Sequence, residues 1–158
     1  MTELKNKMMR GDDFLIAAVI KDQTNTDLLV RPFDQTDSSH SVSADEIEAA
    51  SKDRTVNDYG KVTETRSFEG IMSEGDSFPA AALKKLRNKE YIEIYEINKR
   101  TLKAEKGIYM ITSFEKTAST GEFATYSLEV KLSGTTTEET LTTLPPGAGE
   151  TVTPPSGS

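Results

Sequence analysis

The chain is 158 residues long, carries 26 acidic against 19 basic side chains for a formal net charge of −7, and is only 35% hydrophobic. That is room for one domain with a real core plus extensions lying outside it. The acid excess disfavours tight binding of nucleic acid, whose phosphates attract Lys and Arg, and the absence of cysteine excludes a disulfide scaffold and any thiolate metal site.

Residues 1–11 are polar and charged, and Gly11 sets them apart as an N-terminal arm whose order depends on a partner. Lys5, Lys7 and Arg10 precede an apolar run at 14–20, but that run is far too short to span a bilayer. Asp12 and Asp13 at its entrance also spoil it as a signal peptide. Because it is apolar on both faces, residues 14–20 read as a strand covered on both sides. A shorter strand is expected at 28–30, after a polar turn at 22–27.

From 31 to 60 the pattern nearly vanishes, with Phe33, Val42, Ile47, Val56 and Tyr59 as the only large apolar residues. A stretch this long without pattern usually has a job of its own. Alternation at 39–43 and 55–62 lets it project as a long ribbon; the alternative for 45–50 is one helical turn. Strand character returns at 62–72, where Val62, Glu64, Arg66 and Phe68 share one face and Thr63, Thr65, Ser67 and Glu69 the other. The second face is entirely polar and must meet water, an open channel or a polar partner.

A short helix follows, with Asp76 or Ser77 as N-cap, Pro79 in the first turn, and Phe78, Ala82, Leu83 and Leu86 as its apolar stripe. Lys84, Lys85, Arg87 and Lys89 crowd its end, favourably for the helix dipole. Residues 91–97 form a strand with Ile92 and Ile94 on one face and Tyr91, Glu93, Tyr95 and Ile97 on the other. Residues 107–115 and 123–132 make a hairpin across the polar loop 116–121; in its second strand Ala124, Tyr126, Leu128, Val130 and Leu132 alternate with Thr125, Ser127, Glu129 and Lys131. After Gly134 the composition turns to Thr, Pro, Gly and Ser, with Pro145–Pro146 and Pro154–Pro155, which marks residues 135–158 as a flexible tail. The expected body is therefore 12–134, with the 31–60 loop projecting from it.

Candidate chemistry is sparse. The single His40 lies in a Ser-rich stretch with no apolar frame, so it is expected to be exposed. The acid pairs Asp12–Asp13, Asp45–Glu46 and Glu138–Glu139 are neighbours in sequence and do not converge on one substrate atom. Residues 53–58 lack the ligand spacing of a calcium loop, and no Gly-rich phosphate loop is present. No catalytic residue, cofactor or metal is expected, and the chain reads as a mainly β fold with one clamped helix.

The order Asp53-Arg54-Thr55-Val56-Asn57-Asp58-Tyr59-Gly60, then a strand, the helix with residues 80–86 and the strand 91–98, resembles the tail tube (major tail) proteins of long-tailed, non-contractile bacteriophages, the siphophages. The closing hairpin, Gly107-Ile108-Tyr109-Met110-Ile111-Thr112-Ser113-Phe114-Glu115 followed by Phe123-Ala124-Thr125-Tyr126-Ser127-Leu128, is similar to theirs. The resemblance covers residues 10–134. It implies two packed β-sheets, as a sandwich or partial barrel flanked by one helix, and self-assembly into six-membered rings stacked as a tube in the virion tail. It also implies a conduit for ejected double-stranded DNA, which passes without tight binding and without a membrane role for this chain. Tape measure, tail terminator and distal tail proteins are the further partners implied. On this reading the 31–60 loop reaches the adjacent ring through Phe33, Val42, Ile47, Val56 and Tyr59. Glu64, Arg66, Glu69, Glu122 and Glu129 are the candidates for lining the lumen. The alternative is a monomeric β-sandwich binding module for a cell-surface glycan or protein; the lack of Trp and of any aromatic cluster on a polar face argues against the glycan version. An enzyme is the least supported option.

Overall fold

The computed structural model describes residues 8–21, 26–32 and 34–147. After a 3-10 turn at Gly11–Asp13 come β1 (Phe14–Lys21), β2 (Asp27–Val30), β3 (Gln35–Ala50), β4 (Thr55–Ile71), helix α1 (Phe78–Arg87), β5 (Tyr91–Asn98), β6 (Lys103–Thr117), β7 (Thr125–Leu132) and β8 (Thr137–Thr140). Every strand pair is antiparallel, in the order β2-β1-β5-β6-β7-β4-β3, with β8 beside β6. The mainly β fold with one helix is as the alternation required.

The strands form one continuous sheet, and β6 is what lets it act as two layers. Its first half pairs with β5 and β8, whereas residues 109–117 pair with β7. One layer is thus β2-β1-β5 and the other β7-β4-β3, with β6 running through both. The free ends of the sheet approach where the Gln35 amide of β3 meets β1: its Oε1 accepts from the Ile16 N–H at 2.9 Å and its Nε2 donates to the Ile16 carbonyl at 2.8 Å. The result is a partial barrel.

Between the layers lie Ile16, Ala18, Ile20, Val30, Phe68, Ile92, Ile94, Tyr109, Ile111, Tyr126, Leu128 and Val130, sealed by Phe78 and Ala82 of α1. The Phe78 ring packs 5.8 Å from that of Phe68 and 6.4 Å from that of Tyr126. Burying each large apolar side chain contributes roughly 1.5–3 kcal/mol, an upper estimate because the unfolded chain is already partly compact. The Asp76 carboxylate accepts from the Phe78 N–H at 3.0 Å, so Asp76 rather than Ser77 caps the helix with its side chain. No helix among the described residues is long and apolar enough to cross a membrane.

Two expectations are corrected. Residues 45–50 are not helical; they belong to β3, whose pairing with β4 runs out to Ala50 and Thr55 and closes through a turn where the Ser51 N–H donates to the Arg54 carbonyl at 2.8 Å. With nothing to bury, the segment satisfies its backbone across the ribbon instead. The folded body also does not end near Ser133. β8 pairs with β6, the Leu141 N–H donates to the Leu102 carbonyl, and the Arg31 N–H donates to the Pro146 carbonyl at 2.9 Å. Leu141 thereby joins a second small core of Ala17, Tyr95, Ile97 and Ala104 on the other face of β1 and β5. This explains why residues 14–20 are apolar on both sides.

Candidate assembly interface

β4 pairs with β7 only over residues 65–71, so the rest of the β3–β4 pair leaves the body as a two-stranded ribbon. Nearly every residue of β3 is exposed. Of the five expected contact residues, Phe33 lies outside the described residues, while Val42 (56% exposed), Ile47 (58%), Val56 (43%) and Tyr59 (82%) all stand open on this ribbon. Directly opposed residues share a face, so the register Val42↔Glu64, Ala44↔Val62 and Glu46↔Tyr59 puts Val42, Val62 and Tyr59 on one side. Ile47↔Asp58 and Ala49↔Val56 put Ile47 and Val56 on the other. Apolar groups therefore point out of both ribbon faces.

Of the strand edges without a partner among the described residues, two lie at the ends of the β6-β7-β4-β3 layer. β3 pairs only with β4, which leaves its outer edge bare along its length. β6 pairs with β5 no further than Met110, so residues 111–117 are bare on that side while β7 covers the other. Unpaired edges of this length template pairing with another chain. The second edge follows from a mismatch of length: β6 has 15 residues against 8 in β5. Tyr91, Ile108, Met110 and Phe123 are further exposed apolar side chains, and Tyr91 and Met110 are direct cross-strand neighbours.

The five candidate lumen residues separate. Arg66 is a correction: it is 2% exposed and cannot line any bore. It sits on the face of Phe68, which the fold turns inward, and its guanidinium pairs with Glu96, with Glu105 at 2.7 Å, and with the Tyr109 hydroxyl at 2.8 Å. Glu64 shares that inward side and contacts His40, so it too is largely covered. Glu69 and Glu129 stand on the opposite, outward face, and Glu122 is exposed in the loop between β6 and β7. On that outward face Ser67 opposes Glu129, Glu69 opposes Ser127, and Glu129 opposes Ser113, so one continuous polar surface spans β4, β7 and β6.

Burial raises the phenol of Tyr109 above its ordinary value, partly offset by the Arg66 guanidinium beside it. Burial does the same to Tyr126 more strongly, and its hydroxyl has no hydrogen-bond partner. Neither group is poised for chemistry near neutral pH.

A chain with bare strand edges, a protruding apolar ribbon and a polar outward sheet is a subunit of a larger assembly. The family model described as phage tail tube protein matches residues 8–138, and the chain belongs to that family. It is a structural, tube-forming component of a virion tail. A comparison with curated proteins gave no match.

Among solved structures the chain is similar to the tail of an empty gene transfer agent (GTA) particle obtained by helical refinement with C6 symmetry. That similarity is at 20% identity and TM-score 0.67, over 82% of this chain and 98% of that one. It is also similar to the SPP1 tail tube determined by solid-state NMR and cryo EM, at 13% identity and TM-score 0.68, over 85% of this chain and 80% of that one. The tube-terminating cap of the anti-feeding prophage matches at 14% identity and TM-score 0.57, over 89% of this chain and 97% of that one. At these identities the likeness is one of fold.

Proposed function

We propose that six copies close into a ring by joining the bare edge of β3 in one copy to the bare edge of β6 in the next, and that rings stack through the β3–β4 ribbon into a tube for DNA ejection. The carrying observation is the order β6-β7-β4-β3 with an unpaired edge at each end. Four alternating strands make an even number, so β3 runs opposite to the β6 of a neighbour placed by rotation. The seam then becomes one more antiparallel pair, and a ring closes with no edge left over. The C6 symmetry of the gene transfer agent tail supports six as the ring number. The likeness to a tube-terminating cap supports ends that are met by proteins of related fold.

In that ring the polar outward face carrying Thr63, Thr65, Ser67, Glu69, Ser127, Glu129 and Lys131 lines the bore. Glu69 and Glu129 outweigh the single Lys131, so phosphates meet no cluster of cations that would hold them, and charges are screened within about 8 Å at physiological salt. DNA slides past such a wall. Val42, Ile47, Val56, Val62 and Tyr59 on the ribbon supply the contact to the adjacent ring, and the chain carries out no reaction of its own.

Hydrogen exchange read by mass spectrometry tests the edge join. Peptides covering residues 36–50 and 111–117 are expected to exchange fast in the dissociated chain and to become protected on assembly. Assembled tubes whose 111–117 peptide exchanges as fast as in the dissociated chain would overturn the join.

A further inference from the structure

Where β4 leaves the body, three strands bring metal-ligating side chains to one point. His40 on β3, Glu64 on β4 and Glu105 on β6 offer an imidazole nitrogen and two carboxylate oxygens that all lie within 4.8 Å of one another. His40 and Glu105 border an open cavity of about 580 Å³, lined also by Phe14, Arg66, Glu96, Asn98, Lys103 and Glu138. We propose that His40, Glu64 and Glu105 bind a divalent transition-metal ion, with Zn²⁺ as the best fit, at the root of the ribbon.

Charge supplies an independent reason. Register sets Glu96 opposite Glu105 and Glu105 opposite Glu138, so three carboxylates stand in a row across β5, β6 and β8. Directly opposed like charges destabilise a sheet. Arg66 answers Glu96 and Glu105, and Lys103 lines the same cavity, while Glu139 is taken by Lys106 at 2.7 Å. Four carboxylates, counting Glu64, face one guanidinium and one ammonium, which leaves two negative charges uncompensated when the imidazole is neutral. A divalent cation balances them.

The donor set selects the ion. One imidazole with two carboxylates suits Zn²⁺, whereas Mg²⁺ and Ca²⁺ are held by oxygen alone. Tetrahedral Zn²⁺ with arms of about 2.0–2.1 Å sets its ligand atoms roughly 3.4 Å apart, so the three side chains need only small rotations to reach it. The cavity leaves room for water to complete the shell. Arg66, bonded to one oxygen of Glu105, orients that carboxylate as an outer partner. Such an ion fixes the ribbon to the body through β3, β4 and β6 together.

The test uses the full chain stripped with a chelator and titrated with ZnCl₂ or MgCl₂ in a calorimeter, with thermal melts in parallel. Saturable binding of one Zn²⁺ per chain is expected, with a raised melting temperature and no response to Mg²⁺. His40→Ala, at an exposed position that tolerates truncation, and Glu105→Gln, which keeps a hydrogen-bonding oxygen for Arg66, are each expected to weaken Zn²⁺ binding at least tenfold, and Glu122→Gln to leave it unchanged. Stripped wild-type chain that takes up no Zn²⁺, or His40→Ala binding as tightly as wild type, would overturn the site. Both readouts are of the single chain, so they stand or fall apart from ring assembly.

Discussion

Arg66 is held by two acids that differ in their contact with water: its own side chain is 2% exposed, against 26% for Glu96 and 34% for Glu105. Desolvating a guanidinium costs several kcal/mol and is offset only by good pairing, so the arrangement is costly to break and of little net gain. Replacing Arg66 by Met is expected to destabilise the fold by about 3 kcal/mol in urea unfolding, the low end for a buried pair because both carboxylates keep some hydration. Tyr126 shows the opposite case. Its hydroxyl is buried without a partner, so Tyr126→Phe is expected to change stability by less than about 1 kcal/mol, toward greater stability; a loss above twice that would reveal a partner for the hydroxyl. The Tyr126 side chain lies directly over Gly70, where an added Cβ would sit 2.8 Å from the hydroxyl oxygen, so the glycine is what makes room for it.

The same phenols set an alkaline limit. Tyr95, Tyr109 and Tyr126 are all raised, first of all by burial, so the folded chain keeps protons that the unfolded chain loses. Stability from them is complete below the ordinary tyrosine value of about 10 and falls as pH rises past it. Melting temperature is expected to drop above that point, and less steeply in Tyr126→Phe. Arg66 was not legible beforehand because a cation in an alternating polar strand reads as a solvent face. The one hint was Phe68, two residues on and therefore on the same side.

At the level of elements, the ribbon and the strand β8 are the informative parts. The strands β1, β5, β6 and β7 were readable because each alternates against a core, and the helix because its stripe and Pro79 agree. β3 was readable only in part, through the alternation at 39–43, and β8 was not, since it is held by backbone hydrogen bonds that leave no mark on side-chain pattern and lies in a Thr- and Pro-rich stretch. The ribbon's contact residues were legible as isolated apolar positions in polar sequence, but the bare edge of β6 shows only in the register, where its pairing with β5 ends at Met110. Two cuts test these elements. Excising residues 44–62 and closing β3 to β4 with Asn-Gly is expected to keep the circular dichroism of the body and abolish stacking; loss of the folded signal would make the ribbon part of the core. Ending the chain after Ser133 uncovers Ala17, Tyr95, Ile97 and Ala104 and is expected to lower stability by about 2–4 kcal/mol, by the apolar area returned to water. A melt unchanged from the full chain would show that residues 134–147 seal nothing.

The sheet closes on itself at Gln35 yet keeps the edges of β3 and β6 open, with a limb whose apolar groups face outward on both sides. A subunit of this kind gains stability by mass action when copies join, so its apparent melting temperature rises with concentration. Its membership of the phage tail tube family, with the C6 symmetry of a tail of like fold, favours a closed ring over an open filament for the proposed edge join. Electron microscopy of the purified chain at high concentration tests this most directly. Rings of six that stack into hollow tubes are the expected image; particles no larger than one chain in every condition, with the ribbon intact, would contradict it.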